Sequence, residues 1–207
     1  MTPDELHQSP QHDLVLELDH DDMIPFVREQ LDAGTAFMQK FIRFNWLFTL
    51  GTLFYAGWQL YHGWVGPGRM VLNFILGVVI SMTVLILVHE GLHALAYRCV
   101  GARRIQFGGS FRQMYFYAVA DKQVLNKSQF TLVALAPFSL ILILSVVSIF
   151  WAAPVFEWVI LGMVLVHNWN CVGDFAMLSY YQSFRGSQVY TYDDVTAGKS
   201  YFFKQQT

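Results

Sequence analysis

The residues with the clearest chemical potential are His89, Glu90 and His93, which end an apolar run in the sequence LVHEGLHA. Residues four positions apart lie on one face of an α-helix, so His89 and His93 can offer their imidazoles to one metal ion. Glu90 lies beside that face, where its carboxylate can polarise a water molecule on the ion. This is the arrangement of the H-E-x-x-H helix of zinc hydrolases, so the spacing predicts a catalytic zinc site with Glu90 as the acid/base.

The position of this motif strengthens the prediction. Residues 71–88 carry no charge and run directly into the first histidine. Ionisable side chains inside a membrane are costly, and when present they usually serve a function. The alternative is that the two histidines and the glutamate only decorate a helix end at the level of the lipid headgroups.

The composition predicts a membrane protein. The chain has 207 residues, of which 55% are hydrophobic and only 14% charged, which is too apolar for an ordinary soluble domain. A bilayer core about 30 Å thick is crossed by about 20 helical residues. Four segments meet that need: 41–61, 71–88, 131–153, and 158–173 extended to about residue 181.

We therefore expect an all-α integral membrane protein with about four transmembrane helices. Residues 1–40 would form an N-terminal segment, 41–181 the transmembrane zinc peptidase-like domain, and 182–207 a C-terminal tail. Between the second and third spans, a glycine pair and an aromatic run within residues 101–120 predict a short β-hairpin or ribbon.

The placement of lysine and arginine predicts the orientation of the spans. Twelve of the 13 Lys and Arg residues lie in or beside residues 1–40, the loop 98–130 and the C-terminal tail, and only Arg69 falls on the other side. Both termini and the long loop are therefore expected in the cytoplasm. The net charge of -2 argues against a nucleic-acid partner, so the expected partners are the lipid bilayer and a membrane protein or peptide substrate.

A catalytic zinc site has three protein ligands and one open position, so a third ligand must come from elsewhere in the chain. The longer zincin motif does not supply it, because Cys99 stands where that motif has its third histidine. Glu157 lies at the opposite mouth of the fourth span. Asp174 fits, because it lies about 16 Å of helix before the end of its span, and His89 about 13 Å before the end of the second.

Polar residues recur at three- and four-residue intervals around Asp174 and form one stripe on an apolar helix: His167, Asn170 and Cys171. We expect Asn170 and His167 to hold the metal ligands by hydrogen bonds or to position substrate, and Gly173 to allow close helix approach. A hydrogen-bonded pair of helices without metal is the alternative. Both Cys99 and Cys171 are interpreted as reduced structural thiols.

The predicted ribbon has its own expected role. An extended strand around residues 108–119 could bind an unwound substrate by pairing with it as an added strand. Gly108 and Phe116 are the candidate substrate-binding residues there.

These residues resemble the site-2-protease-like membrane zinc metallopeptidases, in which H-E-x-x-H lies in one transmembrane helix and a later aspartate completes the zinc site. The chain is also similar to a family of small bacterial zincin peptidases, through HEGLHA, ALAPF (residues 134–138) and Gly173-Asp174. The resemblance covers about residues 41–181 and implies a multi-pass protein of the bacterial inner membrane. One departure is that HNWNCVGDF lacks the proline and the following glycine of the N-P-D-G-like segment of site-2 proteases.

Two other functions fit the same residues. A metal transporter or sensor would use the histidines and the aspartate as a transit site, with no special role for Glu90. A catalytically inactive relative would bind membrane proteins without cutting them.

Overall fold

The computed structural model describes residues 1–110, 115–184 and 186–206. Arg112 and Arg185, which contribute to the predicted orientation, and the tip of the predicted ribbon lie outside these residues. The chain forms two compact units. The sheet unit comprises Met1–Met38, Glu90–Pro137 and Gly173–Thr207, and the helical unit comprises Gln39–His89 and Phe138–Val172.

The helices, in chain order, are α1 (Pro3–Gln8), α2 (Met23–Ala33), α3 (Ala36–Tyr61), α4 (Pro67–Ile80), α5 (Ile86–Cys99), α6 (Lys127–Ile149), α7 (Pro154–Asn170) and α8 (Val172–Gln182). Proline occupies the first turn of α4 and of α7, where its missing N–H costs nothing. Helices α4 and α5 continue into each other through the π-helical segment Ser81–Leu85. Such π-turns concentrate at functional sites, and this one directly precedes the histidine motif.

The strands are β1 (His12–Asp19), β2 (Ile105–Ser110), β3 (Tyr115–Ala120), β4 (Leu125–Asn126), β5 (Val189–Asp194) and β6 (Lys199–Gln205). All belong to the sheet unit. Strands β1, β6, β5 and β4 form an antiparallel sheet in that order, and β2 pairs with β3 within the segment expected to form a ribbon. Phe202 of β6 is paired with Leu16 of β1, is fully buried, and packs in a core with Leu125 and Val189.

The expectation of an all-α protein is therefore wrong. The apolar–polar alternation of β1 is visible in the sequence, but its partner β6 lies almost at the other end of the chain. Pairing between segments so far apart leaves no local signal, because the alternating pattern shows that a strand has a buried face and not which strand lies beside it. Residues 182–207, the expected C-terminal tail, contain β5 and β6.

The expectation of four spans is also wrong. Among the described residues, three helices are long and apolar enough to cross a membrane: Pro67–Cys99, Lys127–Ile149 and Pro154–Gln182. Helix α3 is long enough, at 26 residues, but it carries polar side chains that include Arg43, Asn45 and Gln59. The three remaining helices indicate membrane association. The cytoplasmic placement of the termini and the three-part division of the chain stay predictions.

Within the helical unit, two glycines let α4 and α7 approach closely. A Cβ atom at Gly77 would lie 2.1 Å from the carbonyl oxygen of Val159, and one at Gly162 would lie 2.3 Å from that of Phe74. Small residues at such crossings are a common device for packing helices in membranes. The sequence had suggested Gly173 for this role, but a Cβ there would meet no described atom within 4 Å.

Candidate metal centre

Helix α5 carries the histidine motif. His89 and His93 are four residues apart on this continuous helix, which places them on one face, and Glu90 follows the first of them. His93 is buried, whereas His89 and Glu90 are half-buried. The helical periodicity predicted from the sequence is therefore present at all three residues.

His93 is held at both ring nitrogens inside the sheet unit. Its Nδ1 lies 3.0 Å from the carbonyl oxygen of Val133 on α6, and its Nε2 lies 3.1 Å from Oδ1 of Asp174 on α8. A carbonyl can only accept, so Nδ1 carries the proton that donates to Val133. This contact fixes the ring orientation and directs Nε2 to the carboxylate of Asp174.

This geometry suits a zinc ion. A histidine that binds metal through one nitrogen usually donates its other N–H to a carbonyl or carboxylate, as His93 does to Val133. Two nitrogen or oxygen ligands at tetrahedral angles around zinc lie about 3.3 Å apart. The 3.1 Å between His93 and Asp174 is close to that separation. An imidazole and a carboxylate are also donors that zinc accepts.

A second group of potential metal ligands lies in the helical unit. Nδ1 of His89 is 3.0 Å from Nε2 of His167 and 4.0 Å from Sγ of Cys171, and the latter two atoms are 3.7 Å apart. The structure therefore brings His167 next to a predicted ligand. It also adds Cys171, for which the sequence predicts only a structural thiol. The four-residue spacing of His167 and Cys171 was the available signal.

The other candidate residues are placed differently. Asn170, the last residue of α7, is exposed, and its Nδ2 lies 3.7 Å from Sδ of Met82. Gly108 is paired with Tyr117 across the β2–β3 ladder, and a Cβ at Gly108 would lie 2.4 Å from that ring. Phe116 lies one register position further along, opposite Gly109.

Glu157, excluded as a ligand from the sequence, has a structural role in the helical unit. Its Oε2 accepts hydrogen bonds from Tyr55 at 2.6 Å and from Gln59 at 2.8 Å. Trp158 in turn donates its Nε1 proton to Oε1 of Gln59 at 2.8 Å. This network satisfies a buried carboxylate with neutral donors and joins α3 to α7.

Comparison with protein families identifies the class of protein. A family model described as "Putative zincin peptidase" matches residues 82–188, which is just over half of the chain. The chain belongs to this zincin peptidase family. The matched region begins in the π-helical segment and includes both groups of potential metal ligands. Membership indicates a metallopeptidase that uses zinc.

Two further comparisons gave no match. A search of curated proteins found no match to this chain, and neither did a search of solved structures.

Proposed function

We propose that the protein is a membrane-embedded zinc metallopeptidase that hydrolyses peptide bonds within or next to the membrane, as site-2-protease-like enzymes do. His89, His93 and Asp174 would hold the zinc ion, and Glu90 would be the catalytic acid/base. The observation that carries the proposal is the double anchoring of His93, with one ring nitrogen on a backbone carbonyl and the other on Asp174.

The chemistry requires little from the chain beyond these residues. A zinc ion held by these three residues would supply a Lewis acid for the substrate carbonyl and would make the attacking water more acidic. Glu90 takes the proton of the attacking water and then delivers it to the departing amine nitrogen. Val133 acts through His93 by holding its ring, so it is a positioning group.

The membrane setting is supported by the helices that carry these residues. His89, Glu90 and His93 lie on the apolar helix Pro67–Cys99, and Asp174 lies on Pro154–Gln182. Both are long and apolar enough to cross a bilayer. A substrate that is helical in the membrane must unwind before its peptide bond can reach this site, because helical backbone groups are occupied by their own hydrogen bonds.

Metal transport or sensing is the second candidate, and the group formed by His89, His167 and Cys171 favours it. A set of metal ligands in addition to the one proposed for catalysis would suit an ion in transit. The two functions differ in their substrate: a peptidase cleaves a peptide, whereas a transporter moves a metal ion across the membrane.

The test uses the purified protein in liposomes with a membrane-spanning peptide. We expect cleavage to stop when a chelator removes the metal and to return when zinc is added, because the ion would supply the Lewis acid that the reaction needs. Measuring zinc uptake into the same liposomes separates the candidates. Zinc flux without peptide cleavage would contradict the peptidase and support the transporter.

The ribbon offers an edge on which an extended substrate can pair. The amide of Asp121 donates to the carbonyl of Arg104 at 3.0 Å. Hydrogen-bonded and non-bonded residue pairs alternate in an antiparallel ladder, so this bond shows which residues of β2 bond to β3. From the register, Gln106 and Gly108 bond to β3, whereas the backbone groups of Phe107 point away from it. Among the described residues β2 pairs with β3 alone, and Phe107 is 65% exposed. We therefore propose the outer edge of β2 as the pairing edge.

Phe107→Pro is therefore expected to impair cleavage while leaving the zinc content unchanged. Proline removes one outward N–H without breaking a bond to β3. Phe107→Val, which keeps the N–H and suits a strand, is the matched control and should cleave normally. The measurement is the cleavage rate of Phe107→Pro and of Phe107→Val on the same peptide. Equal rates would reject pairing of the substrate with the edge of β2.

A further inference from the structure

The group formed by His89, His167 and Cys171 is more than a set of polar residues near the motif. Its three donor atoms, Nδ1, Nε2 and Sγ, form a closed triangle with sides of 3.0, 3.7 and 4.0 Å. All three residues belong to the helical unit. We propose that they form a second, thiolate-containing metal position, suited to a borderline or soft cation such as Zn²⁺.

The size of the triangle fits such an ion. With zinc–nitrogen bonds of about 2.0–2.1 Å and a zinc–sulfur bond of about 2.3 Å, tetrahedral ligands lie about 3.3 Å apart for two nitrogens and about 3.6 Å for nitrogen and sulfur. The observed sides of 3.0, 3.7 and 4.0 Å differ from these values by at most about 0.4 Å. The three separations are therefore compatible with the binding of one ion.

The backbone holds two of these ligands in place. His167 and Cys171 are four residues apart, and the amide of Cys171 donates to the carbonyl of His167 at 3.1 Å. This bond continues the helical turn beyond the end of α7, so the imidazole and the thiol project from one face. His89 reaches the same point from α5.

Burial explains why an ion would be favourable here. The exposed fraction is 3% for His167 and 0% for Cys171, so neither side chain relies on water. An imidazole and a thiol are a weak hydrogen-bonding pair, but together with a second imidazole they are good ligands for borderline and soft metals. A bound cation would also stabilise the thiolate form of the cysteine inside an apolar unit.

This position goes beyond the proposed peptidase function. It shares His89 with the proposed catalytic ligands, but it requires none of Glu90, His93 and Asp174. Its presence or absence can therefore be established independently of peptide cleavage.

The test uses cobalt as a spectroscopic probe. The full-length protein, purified in detergent and stripped with a chelator, is titrated with Co²⁺ while thiolate-to-cobalt charge-transfer absorption is recorded. We expect this absorption in the wild-type protein and its loss in Cys171→Ser. The chain has two cysteines, so Cys99→Ser, which removes the exposed thiol of Cys99, is the matched control and should keep the absorption.

Two further variants make the result independent of folding defects and of the proposed function. His167→Gln keeps the thiol and should lower the Co²⁺ affinity, measured from the thiolate-to-cobalt absorption, at least tenfold. Asp174→Asn should keep the band even if it abolishes cleavage. The proposal is overturned if wild type shows no thiolate band at saturating Co²⁺, if the band survives Cys171→Ser, or if it disappears in Asp174→Asn.

Discussion

Glu90→Gln is expected to lower the rate of peptide cleavage by about 10²- to 10⁴-fold, the usual contribution of a general acid/base. Glutamine has nearly the same shape as glutamate but cannot accept the proton of the attacking water. Because Glu90 is not one of the proposed metal ligands, the zinc content should not change. The measurement is single-turnover cleavage of a membrane-spanning peptide, with zinc determined on the same sample.

The chain provides a matched control in Glu157→Gln. Glu157 is likewise a glutamate on an apolar helix, and at this position glutamine can still accept the hydrogen bond from Tyr55. This variant should cleave within a few-fold of wild type. Equal activity of Glu90→Gln and wild type would contradict an acid/base role for Glu90, and unchanged metal flux in Glu90→Gln would then favour the transporter.

Gly162→Val is expected to have the largest effect on stability. A Cβ at Gly162 would lie 2.3 Å from the carbonyl oxygen of Phe74, and backbone cannot move aside as a flexible side chain can. Overpacking of a closed interface typically costs up to about 3 kcal/mol, and more when helices must separate. Since α7 carries His167 and the α4–α5 helix carries His89, their separation should also disturb the His89–His167 contact.

The measurement for Gly162→Val is the thermal unfolding midpoint in detergent, together with the yield of folded protein. Gly57→Val on α3 is the matched control, since a Cβ at Gly57 meets no described atom within 4 Å and the residue is exposed. We expect a large drop in the midpoint for Gly162→Val and a small change for Gly57→Val. Similar midpoints for the two variants would show that the α4–α7 contact is looser than the structure indicates.

The parts of the fold that depend on local pattern could be predicted from the sequence. Helical spacing predicted the common face of His89 and His93, and the glycine pair with its aromatic run predicted the ribbon. The similar depths of His89 and Asp174 in two apolar segments predicted that Asp174 lies near the motif, and the structure has its carboxylate 3.1 Å from His93. Each of these predictions depended on residues close in sequence or on a simple length argument.

The remaining features depend on contacts between distant segments. The partner of β1 lies in the last residues of the chain, so the sheet could not be inferred from either strand alone. The close helix crossing involves Gly77 and Gly162, whereas the more conspicuous Gly173 beside the aspartate faces open space among the described residues. Cys171 looked like an ordinary buried thiol until the structure placed it with His167 and His89.

The zinc content of the purified protein tests the proposed catalytic site most directly. It is measured in a Cys171→Ser background, in which the second proposed metal position lacks its thiolate ligand. The catalytic site proposed here predicts near-stoichiometric zinc in Cys171→Ser and almost none once His93→Ala or Asp174→Ala is added. Asp193→Ala, which alters an aspartate on β5, is the control and should keep the metal. Full zinc retention after Asp174→Ala would contradict Asp174 as the third ligand, and with it the central claim about this site.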